Sequence, residues 1–143
     1  VIIPLLYYKK KIKTLLVSQF RAPLAGYNYE FPSGSADFKN LKKSAQNETH
    51  EELGINLDLK NIKKLNRKGI FVSANNYSKL YYYYFKIRAD KNMLNNFKKN
   101  IYGKKSHGEY INLKLVDFNK SLNNFSSANI TVGYSLIKDY EIL

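Results

Sequence analysis

The sequence has no cysteine and no tryptophan, one methionine and three prolines among 143 residues. Without cysteine the chain can form neither disulfide bonds nor thiolate metal sites. This composition is compatible with a reducing compartment, and we expect a cytoplasmic protein. No apolar run approaches the roughly 20 residues of a membrane-spanning helix, so we expect no membrane partner. The apolar run at residues 1–8 is too short for a signal peptide and lacks its flanking pattern.

Acidic residues are also scarce, because 11 Asp and Glu stand against 24 Lys and Arg and leave a net charge of +13. Such an excess favours anionic partners, namely nucleotides, pyrophosphates or nucleic acid. The alternative is that the lysines only solvate the surface. On charge alone, RNA is therefore a candidate partner.

The chain has enough apolar residues for a folded protein, with 44% hydrophobic and 15% aromatic residues. Its length and the absence of repeats or linkers predict a single domain over residues 1–143. The sequence begins with Val1 rather than methionine, so we expect that an N-terminal segment is missing.

The hydrophobic pattern predicts a mixed α/β fold. Strand-like stretches lie at residues 1–8, 12–19, 27–31, 55–59, 62–72, 79–87 and 108–116. Residues 117–121 and 130–140 are predicted to be helical, and residues 89–105 to be a loop or a short exposed helix. The tyrosine run at 81–84 is predicted to lie in a strand buried on one face, with base stacking as the functional alternative.

The central feature is a helix predicted between a Pro-Ser-Gly turn at 32–34 and Gly54, with Asp37 as its N-cap. An apolar stripe of core-facing residues is expected at Phe38, Leu41, Ala45, Thr49 and Leu53. Glu48, Glu51 and Glu52 follow at spacing i, i+3 and i+4, which places three carboxylates on one side of the helix. Like charges repel there, and a divalent cation would reverse the sign of the interaction. We therefore predict a metal site on this helix.

These residues also carry a family resemblance. Gly34 followed by Glu48-x-x-Glu51-Glu52-x-Gly54-Ile55 resembles the Nudix box, Gly-x5-Glu-x7-Arg-Glu-U-x-Glu-Glu-x-Gly-U with U aliphatic. Further segments resemble the ADP-ribose and ADP-sugar pyrophosphatase branch: residues 19–23 and 30–34 before the box, Gly108-Glu109-Tyr110-Ile111 after it, and Ile130-Thr131-Val132 before a final helix.

The resemblance implies a Nudix-type α/β/α sandwich with a mixed β-sheet. It implies hydrolysis, dependent on Mg²⁺ or Mn²⁺, of the pyrophosphate bond of ADP-ribose or a related nucleoside diphosphate sugar. The products would be a nucleoside monophosphate and a sugar phosphate. Enzymes of this branch are commonly homodimers, so a homodimer is expected. An aromatic residue would stack on the base, but the sequence does not assign it.

Residue roles follow from the same resemblance. The implied metal ligands are Glu48 and Glu52, with Glu51 assisting and the backbone carbonyl of Ser33 completing the site. Glu109 would be the general base, and Glu52 and Glu51 would also be catalytic. The implied substrate-binding residues are Arg21 on a phosphate oxygen, Glu30 at the mouth of the site, Ser33 and Gly34. The alternative role of Arg21 is structural, namely to hold a loop in place.

The box is degenerate. The interval from Gly34 to Gly54 is one residue shorter than the family spacing, and Asn47 stands where the family has arginine. The earlier box glutamate falls on Lys39 or Asn40. The alternatives are therefore a catalytically impaired Nudix-fold protein that binds nucleotide or RNA, and a hydrolase of capped RNA or dinucleoside polyphosphates.

Overall fold

The computed structural model describes residues 1–73, 78–103, 110–120, 125 and 127–143. The strands in these residues are β1 (Ile2–Tyr8), β2 (Lys11–Arg21), β3 (Gly26–Glu30), β4 (Lys63–Lys64), β5 (Ile70–Ser73), β6 (Ser78–Leu80), β7 (Tyr83–Arg88), β8 (Ile101–Tyr102) and β9 (Ile111–Asp117). The α-helices are α1 (Leu41–Leu53), α2 (Lys91–Lys99) and α3 (Ala128–Asp139), and short 3₁₀ turns lie at Ala22–Leu24, Leu59–Asn61 and Phe118–Lys120.

Seven strands form one mixed sheet in the order β4-β7-β1-β2-β9-β8, with β3 also paired to β2. The pairing of β1 with β7 is parallel, and the other pairs in this sheet are antiparallel. Strand β1 is central and apolar on both faces, because its side chains enter a core on each side of the sheet. Strands β5 and β6 form a separate hairpin.

Two hydrophobic cores cover the two faces of the sheet. One contains Ala45 and Leu53 of α1 with Leu94 and Phe97 of α2, and the other contains Ile130 and Ile137 of α3. The helices therefore lie on both faces, with α1 and α2 on one side and α3 on the other. The predicted α/β/α sandwich with a mixed sheet is confirmed.

Several local predictions were wrong. Asn40, and not Asp37, caps α1, since its side chain accepts a hydrogen bond from the Lys43 N–H at 3.1 Å. Phe38 lies outside the helix and does not enter the core. Residues 55–59 do not form a strand, and the tyrosine run is divided, because β7 begins only at Tyr83. Within residues 89–105 the helix α2 buries two side chains.

None of the helices in the part of the chain that the structure describes is both long and apolar enough to span a membrane.

Candidate functional site

Helix α1 has one buried carboxylate, that of Glu52. Its buried residues are Ala45, Thr49, Glu52 and Leu53, so Glu52 lies beside the apolar stripe of the helix. The side chain of Glu52 is almost inaccessible, since the residue is 4% exposed. Its Oε2 accepts a hydrogen bond from the backbone N–H of Ser33 at 3.0 Å. A buried carboxylate requires such donors, because burial without them opposes the charged form.

The carboxylate of Glu48 reaches the same loop at Gly34. A Cβ built on Gly34 would lie 2.3 Å from Oε2 of Glu48 and 2.6 Å from its Oε1. Only a glycine leaves room for this carboxylate against the loop backbone. Glu48 and Glu52 therefore both reach the loop at residues 33–34, and their role as metal ligands stays a prediction.

Glu51 faces another part of the surface. It lines a groove of about 370 Å³ on the outer side of α1, together with Asn47 and His50. Its backbone carbonyl accepts a hydrogen bond from the Gly103 N–H at 3.1 Å. Among the residues that the structure describes, no group of three or more His, Asp or Glu side chains is arranged to hold a metal ion. The three-carboxylate metal set thus stays a prediction.

The donors at residues 33–34 still fit a hard divalent cation. Two carboxylates reach this loop, and Mg²⁺ is usually bound through one or two carboxylates together with water and substrate phosphate. The missing Cβ of Gly34 provides the space in which the Glu48 carboxylate lies. The residues present are therefore compatible with Mg²⁺ or Mn²⁺ on Glu48 and Glu52.

The loop at residues 31–34 is fixed from three sides. The Ile2 N–H at the start of β1 donates to the Pro32 carbonyl at 2.8 Å. Asn129 of α3 accepts from the Phe31 N–H at 3.2 Å, and Glu52 of α1 accepts from Ser33. Sequence reasoning did not identify Asn129. The segment after it, Ile130-Thr131-Val132, resembles the C-terminal end of the pyrophosphatase branch, but nothing local marks Asn129 itself.

Arg21 and Glu30 form a bidentate ion pair across the β2–β3 hairpin. Arg21 donates from Nε at 2.9 Å and from Nη2 at 2.6 Å, and the Asn28 amide adds a third hydrogen bond to Glu30 at 3.2 Å. The hydrogen bonds from Arg21 hold the pKa of Glu30 below its usual value, although burial opposes this. The same hydrogen bonds raise the pKa of Arg21, with a smaller contribution from the charge on Glu52.

This ion pair agrees with the alternative in which Arg21 holds a loop in place. The charge on Glu52 acts on Arg21 only as a small contribution to its raised pKa. A role of Arg21 or Glu30 in binding substrate stays a prediction.

Glu109 and its Gly108 neighbour lie outside the described residues, so the predicted general base is not placed. Asn47 and Lys39 are exposed.

An open cavity of about 600 Å³ adjoins Glu48 and Gly34. Its floor includes Tyr83 and Ala45, which also belong to the core between the sheet and α1. We call it the Glu48 cavity. It was not predicted from the sequence, because its walls come from segments far apart in the chain.

The chain matches no protein-family model, and a search of curated proteins finds no match. Solved structures do resemble it. A C. elegans Ap4A hydrolase is 18% identical with a TM-score of 0.61, over 99% of this chain and 95% of that chain. An ADP compounds hydrolase is 14% identical with a TM-score of 0.64, over 97% of this chain and 70% of that chain.

A third structure, the NUDIX domain of Shewanella oneidensis NrtR complexed with ADP ribose, has a TM-score of 0.70 at 14% identity. The match covers 98% of this chain and 84% of that domain. The chain therefore has the Nudix fold, and the fold expected from residues 34–55 is confirmed.

Proposed function

We propose that the protein hydrolyses the pyrophosphate bond of ADP-ribose or a related nucleoside diphosphate sugar in the presence of Mg²⁺ or Mn²⁺. The observation that carries this proposal is the meeting of the Glu48 and Glu52 carboxylates at the Ser33–Gly34 backbone. Two solved structures with the same fold are described as hydrolases of Ap4A and of ADP compounds, and a third holds ADP ribose.

In this proposal Glu48 and Glu52 hold the cation and the Ser33 carbonyl completes the site. Glu51, which the resemblance implies as an assisting ligand, lines the separate groove on the outer side of α1 and has no role in this proposal. A bound divalent cation neutralises charge on the pyrophosphate and lowers the pKa of a water molecule. The Ser33 N–H fixes the position of the Glu52 carboxylate. Two of the five N–H donors of Arg21 contact Glu30, and we propose that another contacts a phosphate oxygen. By resemblance, Glu109 is the general base that orients or deprotonates the water.

A second candidate is a protein that binds nucleotide without cleaving it. It is favoured by the exposed Asn47, which cannot replace the charge of the family's arginine, and by the position of Glu51 on a separate groove. The two candidates differ in whether bound ADP-ribose is converted to AMP. A preference for capped RNA or dinucleoside polyphosphates would appear when these compounds are compared in the same assay.

The test is to incubate the purified protein with ADP-ribose and Mg²⁺ and to measure AMP by chromatography. We expect turnover that EDTA abolishes, and a loss of at least about 100-fold in kcat for Glu52→Gln, because the amide replaces an anionic ligand. The exposed Glu141→Gln is the matched control and should leave the rate unchanged. If nucleotide binds and AMP does not form, the second candidate replaces the first.

The homodimer, the cytoplasmic location and an RNA partner stay predictions from the resemblance and from the charge. Size-exclusion chromatography with light scattering tests the dimer. A filter-binding assay with a short single-stranded RNA tests the RNA partner.

A further inference from the structure

Residues 59–89 contain eight Lys and Arg residues and no acidic residue, because all 11 Asp and Glu residues lie outside this stretch. Five of the eight cations form one surface, which we call the basic edge. They are all exposed, namely Lys63, Lys64, Arg67, Lys68 and Lys79. The structure gives none of the five an ion pair among the residues that it describes. Their positive charge is therefore not neutralised by nearby carboxylates.

Strand pairing brings these cations together. Strand β4 stands at one end of the strand order β4-β7-β1-β2-β9-β8, and both of its lysines are exposed. Beyond β4 the Leu65 N–H donates to the Tyr82 carbonyl at 2.8 Å, and the Asn66 side chain bonds to the same segment. The next two residues are cations, and Lys79 lies in β6, which pairs with β5. The five cations therefore lie at one edge of the sheet and on the adjoining hairpin.

An exposed aromatic ring lies among these cations. In the β5–β6 hairpin Ile70 pairs with Leu80, and Phe71 pairs with Lys79. Ile70 and Leu80 pack against the core on the α3 side of the sheet. The next pair, Phe71 and Lys79, therefore faces the solvent, and Phe71 is 54% exposed. A ring and an ammonium group thus lie side by side on the outer face of the hairpin.

Lysines on an edge strand have a structural explanation, because a charged edge resists pairing with another chain. That explanation covers the two lysines of β4. It does not cover Phe71, since an exposed ring favours association rather than opposing it. The tyrosine run supplies no equivalent surface at its centre, because Tyr82 and Tyr83 are 0% and 4% exposed. The combination of cations and an exposed ring therefore calls for a ligand.

Single-stranded nucleic acid has the matching chemistry, since its phosphates bind lysine and arginine and its bases stack on aromatic side chains. We propose that the basic edge binds single-stranded nucleic acid, with phosphates at Lys63, Arg67 and Lys68 and a base on Phe71. A membrane surface fits less well, because binding to it needs a broad apolar face beside the cations, whereas one ring is sufficient for a base. The proposal is independent of hydrolysis, and it locates a partner that net charge alone does not place.

The experiment measures the Kd of fluorescein-labelled oligouridine and oligothymidine of about 12 nucleotides, a usual site size, by fluorescence anisotropy in EDTA at several salt concentrations. The wild type should bind with a Kd below about 100 μM in 0.1 M salt. Replacing Lys63, Arg67 and Lys68 together by glutamine should weaken binding at least about tenfold. It should also reduce the slope of log K against log salt concentration by about 2, because each phosphate contact contributes about 0.7.

The matched control replaces the three lysines of residues 9–11 by glutamine and so removes the same charge. Lys63 pairs with Tyr84, which pairs with Ile3, and the control turn begins six residues further along the chain. The strand rise puts this turn about 20 Å from Lys63, which is about two Debye lengths in 0.1 M salt. The control should therefore change the Kd by less than about twofold.

Phe71→Ala tests the base contact. It should weaken binding at least about fivefold, the lower end of what loss of a stacking ring causes. Its control is Phe20→Ala, because Phe20 is also exposed, at 55%, and lies on β2, three strands away from β4. Phe20→Ala should leave the Kd unchanged. Circular dichroism checks that each variant is folded.

Equal weakening by the two triple variants would show that net charge alone attracts the oligonucleotides, and the inference would be wrong. It is also wrong if the wild type binds neither oligonucleotide or if Phe71→Ala has no effect. Vesicles that contain phosphatidylserine are the last comparison: if they bind more tightly than both oligonucleotides and depend on Lys63, Arg67 and Lys68, the basic edge is a membrane surface. A preference for uridine or for thymidine oligonucleotides identifies the partner as RNA or DNA and supports the inference in either case.

Discussion

Gly34 controls the position of Glu48 through the absence of a side chain. A Cβ at this residue would overlap the Glu48 carboxylate, with its nearest oxygen at 2.3 Å. The carboxylate ends a flexible side chain, so it can move away without disturbing the fold. Gly34 therefore matters for where a charge lies and much less for stability.

We predict that Gly34→Ala lowers kcat/KM for ADP-ribose by about 10- to 100-fold, because the carboxylate is displaced from the position it takes against the loop. The melting temperature should change little. Gly26→Ala is the matched control, since a Cβ there meets only the Leu24 carbonyl oxygen at 3.6 Å. Equal activity of both variants would show that the position of Glu48 is not critical.

The ion pair between Arg21 and Glu30 predicts a loss of stability in acid. The folded-state pKa of Glu30 lies below its unfolded value, which is about 4.3. The stabilisation is therefore complete above that value, and it decreases as the pH falls through the folded-state pKa. The Arg21 side chain is 40% exposed, so solvent screening limits the pair to about 1 kcal/mol.

The measurement is the free energy of unfolding by urea at pH 7 and at pH 3. Glu30→Gln should be about 1 kcal/mol less stable than the wild type at pH 7, and this difference should be smaller at pH 3. Glu141→Gln, at an exposed glutamate, should follow the wild type throughout. A difference between Glu30→Gln and wild type that persists unchanged at pH 3 would mean that packing, and not charge, explains the effect.

For single residues, the sequence predicted a position well where that position depends on residues nearby in the chain. The spacing of Glu48 and Glu52 predicted that both lie on one side of the helix, and the box resemblance implied that they reach the loop at Ser33. Asn129 was missed because its contact with the Phe31 backbone spans 98 residues and has no local pattern. The Glu48 cavity was missed for the same reason, because its lining joins residues 33–48 to residues 78–83.

The C-terminal end of α1 is fixed by contact with β8. Gly54 has a φ of +65° and ends the helix, and a Cβ there would lie 2.5 Å from the ring of Tyr102. The Gly103 N–H also bonds to the Glu51 carbonyl. The helix that carries the carboxylates is thus held at its end by a strand from a distant part of the chain.

We predict that Gly54→Ala destabilises the protein by about 1–3 kcal/mol, because it adds both a left-handed backbone strain and a clash with Tyr102. Gly54→Asn separates the two effects, since asparagine tolerates the left-handed conformation but has the same Cβ. Thermal unfolding by circular dichroism measures both variants. If Gly54→Asn is as stable as the wild type, the ring of Tyr102 moves freely and does not hold the helix end.

Two segments, residues 55–59 and the tyrosine run at 81–84, show why the strand predictions were wrong. Residues 55–59 have apolar alternation, yet the Ile55 N–H bonds to Thr49 and the Leu57 carbonyl accepts from the Gln46 side chain. The tyrosine run is interrupted because the Asn66 side chain accepts from the Tyr82 N–H at 2.6 Å and donates to the Leu80 carbonyl at 2.9 Å. In the first case the Thr49 backbone carbonyl and the Gln46 side chain, and in the second case the Asn66 side chain, take hydrogen bonds that a strand would use.

The arrangement of the whole molecule separates the candidate site from the most basic turn. Strand β1 has seven residues, begins beside the loop at Pro32 and ends at the turn of Lys9 and Lys10, which Lys11 follows as the first residue of β2. Seven residues of strand extend for about 23 Å. The three lysines therefore act on a ligand at Gly34 only through the long-range field of the protein.

The net charge of +13 predicts that kcat/KM for ADP-ribose falls as salt rises from low ionic strength, while kcat stays constant, since screening weakens the attraction of an anionic substrate. Replacing Lys9, Lys10 and Lys11 together by glutamine lowers the charge from +13 to +10. We expect this triple variant to have a lower kcat/KM than wild type in dilute buffer and the same value in 0.5 M salt (estimated from the Debye length, ~4 Å there).

Lys79→Gln provides the contrast, because Lys79 lines the Glu48 cavity and a contact at short range is screened far less than a field over 20 Å. Its effect on KM should persist in 0.5 M salt. If the triple variant also stays impaired at high salt, the Lys9–Lys11 turn contacts a ligand directly. If salt changes kcat/KM in none of these proteins, the excess lysines only solvate the surface, which is the alternative that composition alone left open.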